Sequence, residues 1–168
     1  MKLRWRVRRA IRRQVELPLL RPPVREVTGG TMQIDAATRR NLELTQALSG
    51  GRDGSLLAAI DRTVTAGGGR LLERRISSPS QDLSVITSRH DAVAYAVENV
   101  DFREALRDAL RRCPDVDRAL SRLSLDRGGP RDLAAIRNAV GQAAVISEAL
   151  PDNAPELVTK LGNSLLGF

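Results

Sequence analysis

Apolar residues recur at three- and four-residue intervals along most of this chain. Run after run is opened by a hydroxyl or carboxylate residue able to accept the N–H groups left bare at a helix start. Residues 55–79, SLLAAIDRTVTAGGGRLLERRISSP, show the pattern most compactly. Leu56, Leu57 and Ile60 follow Ser55, and Leu71, Leu72 and Ile76 follow Thr65, so the stretch predicts two short capped helices broken at Thr63-Val64-Thr65. Each places an apolar stripe on one side, to be buried against shared neighbours.

The rest of the chain supplies those neighbours. In residues 32–49, Asp35 is expected to cap a helix carrying Leu42, Leu44 and Leu48, ended by the glycines of residues 50–54. Ser77-Ser78-Pro79-Ser80 forces a break, and Asp82 caps the longest clean helix, from Leu83 to about Asn99. Its stripe reads Leu83, Ile86, His90, Val93, Ala94 and Val97, and at 1.5 Å per residue it spans roughly 25 Å. Asp101 is expected to cap residues 102–112, and Pro114-Asp115 to start an element running through Leu125. Arg127-Gly128-Gly129-Pro130 reads as a turn, residues 131–150 as an alanine-rich amphipathic helix, and residues 156–166 as a last helical piece. Almost nothing after Thr31 argues for a sheet. The fold class is therefore all-α, an irregular multi-helix bundle, and 168 residues suffice to bury roughly 70% of the unfolded surface.

The net charge of +7 has a definite place. Residues 1–31 hold nine basic side chains against Glu16 and Glu26, a net +7, whereas residues 32–168 hold eighteen of each sign and balance. Two units follow: a basic arm with a Pro/Gly linker over residues 1–31, expected to be disordered or loosely attached, and a helical domain over residues 32–168. The arm, with Trp5 available for stacking, makes a nucleic acid or an anionic membrane surface a possible partner. A single Cys113 excludes an intrachain disulfide, and no apolar run reaches the roughly 18 residues needed to cross a bilayer. A reducing, cytoplasmic setting is expected.

Candidate chemistry is sparse. Gly67-Gly68-Gly69 before Arg70 has the look of a phosphate loop, but the spacing of a glycine, four residues and Gly-Lys-Ser/Thr occurs nowhere in the chain. Close packing or a loose helix start accounts for the triplet. His90, the only histidine, sits in an apolar stripe and is expected to be a partly buried structural residue. Cys113, before Pro114, reads as an ordinary thiol. Glu104, Asp108 and Asp115 lie near arginines such as Arg118 and Arg122, the pattern of a solvated, ion-paired helical face. Phe102-Arg103-Glu104 resembles a Phe-x-Glu mismatch wedge, but Phe102 fits its helix stripe and Asp101 with Glu104 reads as a capping box. No catalytic, cofactor-binding or metal-binding residue is assigned.

The order of certain segments carries a resemblance. MQIDAATRRNLEL at residues 32–44, Ser55-Leu56-Leu57, Asp61-Arg62-Thr63-Val64-Thr65, Gly69-Arg70-Leu71-Leu72 and Arg89-His90-Asp91-Ala92-Val93 resemble the central core, or lever, domain of the bacterial MutS family of DNA mismatch repair ATPases. PDVDRALSRL at residues 114–123 and GPRDL at residues 129–133 continue it, and LPLLRPP at residues 17–23 is similar to the family's link from the preceding connector domain. The resemblance covers residues 17–168 and implies a domain incomplete at its C-terminal side. It implies that mismatch reading, DNA clamping, ATP and magnesium belong to other domains, and that mismatched double-stranded DNA and a second MutS subunit are partners of the complete protein. Residues 1–16 depart from the family, which suggests a gene fragment or a frame opened at a non-ancestral start. The expected function is a helical core that couples mismatched-DNA binding to ATP binding and hydrolysis without catalysis of its own. The alternative is a small basic protein binding nucleic acid or membrane surface through residues 1–31.

Overall fold

Where a helix begins in this chain is decided mostly by one side chain that accepts backbone N–H groups, and a computed structural model shows these caps in place. It describes residues 30–151 and 153–166, so the expected basic arm lies, up to residue 29, outside the described residues. Asp35 accepts from the Thr38 amide at 2.9 Å and opens α1 (Ala36–Asn41). Ser55 accepts from the Ala58 amide at 3.2 Å and opens α2 (Leu56–Ile60). Thr65, accepting from the Gly68 amide at 3.0 Å, opens α3 (Ala66–Ser77). Asp82 accepts from Ser84 at 2.9 Å and opens α4 (Leu83–Glu98). After α5 (Val100–Arg111), Asp115 accepts from the Arg118 amide at 3.3 Å and opens α6 (Val116–Ser124). At the start of α7 (Pro130–Glu148) Pro130 presets the backbone, and Asp132 reaches back to accept the Gly129 amide at 2.9 Å. The last described helix is α8 (Glu156–Ser164).

The fold is all-α. Among the described residues the one β-type pairing is an isolated bridge between Thr31 and Ser80, flanked by the bonds Met32 N to Pro79 O at 2.8 Å and Gln81 N to Gly30 O at 3.1 Å.

One helix end, one helix start and one helix face differ from expectation. α1 stops at Asn41, so Leu42, Leu44 and Leu48 lie beyond it. There Glu43 turns into the left-handed region at φ 48°, its carboxylate accepts the Leu48 amide, and the segment wraps α2 through Leu56 N to Glu43 O and Leu57 N to Leu44 O. α5 begins at Val100 with Asn99 before it, which places Asp101 inside the first turn instead of at the cap. On α4 the covered face is Val85, Ile86, Arg89, Ala92, Tyr95 and Ala96, while Leu83 is 75% exposed, Val97 62% exposed, and His90 is exposed as well. Apolar and polar residues are spread round α4 without a sharp division, so its pattern could not choose a face; packing against α5 and α8 does.

Helix pairs pack as α2 with α3, α4 with α5 and α8, and α7 with α5, α6 and α8. The bundle closes mostly on small side chains, Ala109 of α5, Ala119 of α6 and Ala139 of α7, joined by the larger Ile146 of α7. Alanine at such points lets backbones approach closely, but it removes little apolar area from water. The most deeply covered large side chain is instead Leu57 of α2, 1% exposed.

Candidate functional site

α3 packs on α2, and long polar reaches join this pair to the bundle. Arg70 projects from the second turn of α3 to the start of α6. There its Nη1 and Nη2 donate to both oxygens of Asp115, at 2.9 and 2.7 Å, and Nη2 also donates to Asp117 at 3.2 Å. A planar guanidinium on a carboxylate in this two-pronged way fixes direction as well as distance. A second tie runs from α5, where Arg107 donates to the Arg62 carbonyl at 2.9 Å, within the α2–α3 link.

That link is itself braced. One Asp61 oxygen accepts from the Thr63 amide at 2.8 Å and the Thr63 hydroxyl at 2.7 Å, and the other takes Arg52. Thr63, then Arg52, holds the Asp61 carboxyl below its usual range. Asp115 is lowered likewise, chiefly by the Arg70 hydrogen bonds, and Arg70 is pushed further into its charged form by Asp115 first and Asp117 second.

The glycine triplet belongs to this joint. The Gly68 amide is spent on the Thr65 cap, and a Cβ at Gly68 would stand 3.0 Å from Thr65 Oγ1 and 3.4 Å from Thr63 Cβ. A Cβ at Gly69 would meet Thr63 Oγ1 at 3.4 Å. Close packing, the first of the two expected uses, explains Gly68 and Gly69, whereas a Cβ at Gly67 would meet only the end of the Arg70 side chain at 3.9 Å.

The remaining chemically suggestive residues are dispersed. Cys113 is half-buried, and burial pushes its thiol up, the reverse of an activated nucleophile. Phe102 meets Tyr95 edge to face at 5.3 Å, inside the α4–α5 packing. Among the described residues no group of three His, Cys, Asp or Glu is placed to hold a metal ion. None of their helices is long and apolar enough to cross a membrane.

The residues that matter most here, Arg70, Asp115, Asp117 and Arg107, act over a distance that sequence reasoning missed. It paired Asp115 with Arg118 and Arg122; instead Arg118 offers Asp115 its backbone amide, and Arg122 pairs with Asp132 at 3.2 Å across the α6–α7 turn. One signal was present: Asp115 and Asp117 put more negative charge at a helix start than capping needs.

A profile for the family described as MutS domain III matches residues 37–166, taking in every element of the joint. The chain belongs to the MutS domain III family. Its relatives include proteins named DNA mismatch repair protein MutS. The one from Cereibacter sphaeroides is 64% identical over 152 residues, 90% of this chain and 17% of the relative. That from Roseobacter denitrificans is 69% identical over 135 residues, 80% of this chain and 15% of the relative. That from Paracoccus denitrificans is 63% identical over 151 residues, 90% and 17% of the two chains. The chain thus spans less than a fifth of the length of these relatives. As a MutS domain III chain it is a helical part of a DNA mismatch repair protein, and its joint is a structural feature of that domain.

Proposed function

We propose that this chain is a force-transmitting core: a helical domain that, within a complete mismatch repair protein, couples mismatched-DNA binding to ATP binding and hydrolysis without catalysing anything itself. The observation that carries the reading is the joint. A small, firmly capped unit, α2–α3, is attached to the bundle by directional Arg70–Asp115–Asp117 and Arg107–Arg62 contacts. Such an attachment moves the bundle when the unit turns, which a packed but featureless surface does less faithfully.

The bundle also exposes apolar side chains in rows. Leu133 is 59% exposed, and Val140 and Val145 on α7, like Leu83, Val93 and Val97 on α4, face outward. These rows suit further lever helices of the complete protein. Mismatched double-stranded DNA, a second MutS subunit, ATP and magnesium are assigned to that complete protein, and residues 32–168 are its core portion. The purified chain is expected to show no ATP turnover and equal affinity for matched and mismatched duplexes. Turnover above a heat-inactivated control, or preference for the mismatch, would overturn the reading.

A second reading is favoured by the +7 carried by residues 1–31: a basic arm that binds nucleic acid or an anionic membrane surface. Loss of steeply salt-dependent binding on deleting residues 1–31 supports it, and unchanged binding excludes it.

A further inference from the structure

We propose that residues 32–79, which carry α1, α2 and α3, form a flap that swings on the bundle as one body, hung on a paired neck at Thr31 and Ser80 and latched by Arg70 and Arg107. The proposal deepens the coupling reading by giving its joint an open and a closed position. Its test reads a distance within this chain, while that reading is tested on ATP turnover and duplex binding, so either can fail alone.

A body that moves as a unit needs a centre of its own, and the flap has one in Leu57 and Ser55, the two most enclosed side chains among the described residues. Around them the Leu56 and Leu57 amides donate to the Glu43 and Leu44 carbonyls at 2.9 and 3.0 Å, Arg52 pairs with Asp61, and α2 packs on α3. Among the described residues none of the closely packed helix pairs joins α1, α2 or α3 to α4–α8, and no side chain of α3 is fully buried. The chain enters and leaves the flap at one place. The Met32 amide donates to the Pro79 carbonyl at 2.8 Å and the Gln81 amide to the Gly30 carbonyl at 3.1 Å, so entry and exit run side by side. Pro79, just past the end of α3 at Ser77, keeps α3 from running on into α4.

The latch lies toward the other end of α3, which at 12 residues is about 18 Å long. There Arg70 reaches Asp115 and Asp117 of the bundle, and Arg107 of α5 donates to the Arg62 carbonyl just ahead of α3. What closes the flap is thus of a different kind from what holds it together. Burial of Leu57 removes apolar surface from water and does not depend on charge. The side chains of Arg70 and Asp117 are 48% and 82% exposed, and ion pairs so exposed hold weakly and yield to salt. Polar ties at one end and a paired neck at the other leave a body that can part from the bundle without losing its own fold.

The test places pairs of spin labels on the full chain in a Cys113→Ser background and reads distances by double electron–electron resonance, with labelled chain diluted in unlabelled chain. Glu73→Cys/Ser121→Cys spans from α3 to α6, and Asp53→Cys/Glu73→Cys lies within the flap; all three positions are exposed. Between α3 and α6 a second, longer distance is expected. Its share should rise about two- to fivefold, the worth of an exposed ion pair, in Arg70→Met and again in the chain with Arg70 intact as potassium chloride is raised toward about 1 M. The distance within the flap is expected to stay single and unchanged. An α3–α6 distance that either treatment leaves unaltered would overturn the proposal, and so would a distance within the flap that broadens in step with it, since the flap would then be unfolding and not swinging. Should Arg70→Met lack the parent's helical circular dichroism, the salt series decides alone.

Discussion

Leu57 and Ser55 sit together at the most enclosed point among the described residues, each 1% exposed. Leu57→Ala is expected to cost about 2–5 kcal/mol, read as a shift of the urea midpoint. Ser55→Ala is expected to cost about 1 kcal/mol, because the hydroxyl both caps α2 and donates to the Arg52 carbonyl. Two glycines should respond in opposite senses. At Gly128 a Cβ would lie 2.9 Å from the Leu123 Cα and nearer still to its side chain, so Gly128→Ala should destabilise by about 1–3 kcal/mol. Gly141, exposed inside α7 with nothing within 4 Å of an added Cβ, should gain about 0.5–1 kcal/mol on becoming Ala. Caps such as Ser55, Thr65 and Asp82 were legible in the sequence because a cap is a contact with a residue two or three places away. The crowding that makes Gly128 indispensable was not, because a glycine in a turn looks the same whether or not a leucine stands against it.

Between elements, the depressed carboxyls fix how the joint answers to acid. Asp61 and Asp115, with the caps Asp35 and Asp82, have folded pKa values below their unfolded ones. Such groups stabilise the fold above the unfolded value of about 3.9, and that stabilisation is lost as pH falls through the lowered folded values. The thermal midpoint is therefore expected to be flat above about pH 5 and to fall steeply below about pH 4. Arg70→Met should lower the midpoint near neutral pH and less in acid, where Asp115 has no charge left to pair. A deficit that is the same at every pH would contradict the role given to the ion pair. Helix positions from α2 to α8 followed from periodicity and punctuation, and so did the α6–α7 turn. The face of α4 and the partners of Asp115 did not, since a helix whose apolar residues are spread round it does not say which side is covered, and a carboxylate near two local arginines does not announce a third 45 residues away.

At the scale of the molecule, membership of MutS domain III was legible from the order of short segments, while the joint that gives the domain a mechanical reading was visible only in three dimensions. The small alanine-based core and the outward rows on α4 and α7 predict self-association. Sedimentation velocity of the isolated chain should show a coefficient that rises with concentration, and Leu133→Ser/Val140→Thr should reduce that rise with little change in stability. A single monomeric boundary at all concentrations would contradict it. The central claim is that α2–α3 drives the bundle through Arg70 and Asp115. The measurement that tests it most directly is ATP turnover, with mismatched and with matched duplex, by a complete MutS protein carrying this segment with Arg70→Met and Asp115→Asn. The ratio of the two rates is expected to move toward one by about fivefold or more, with turnover in the absence of DNA retained. An unchanged ratio in a protein whose joint is broken would contradict the account.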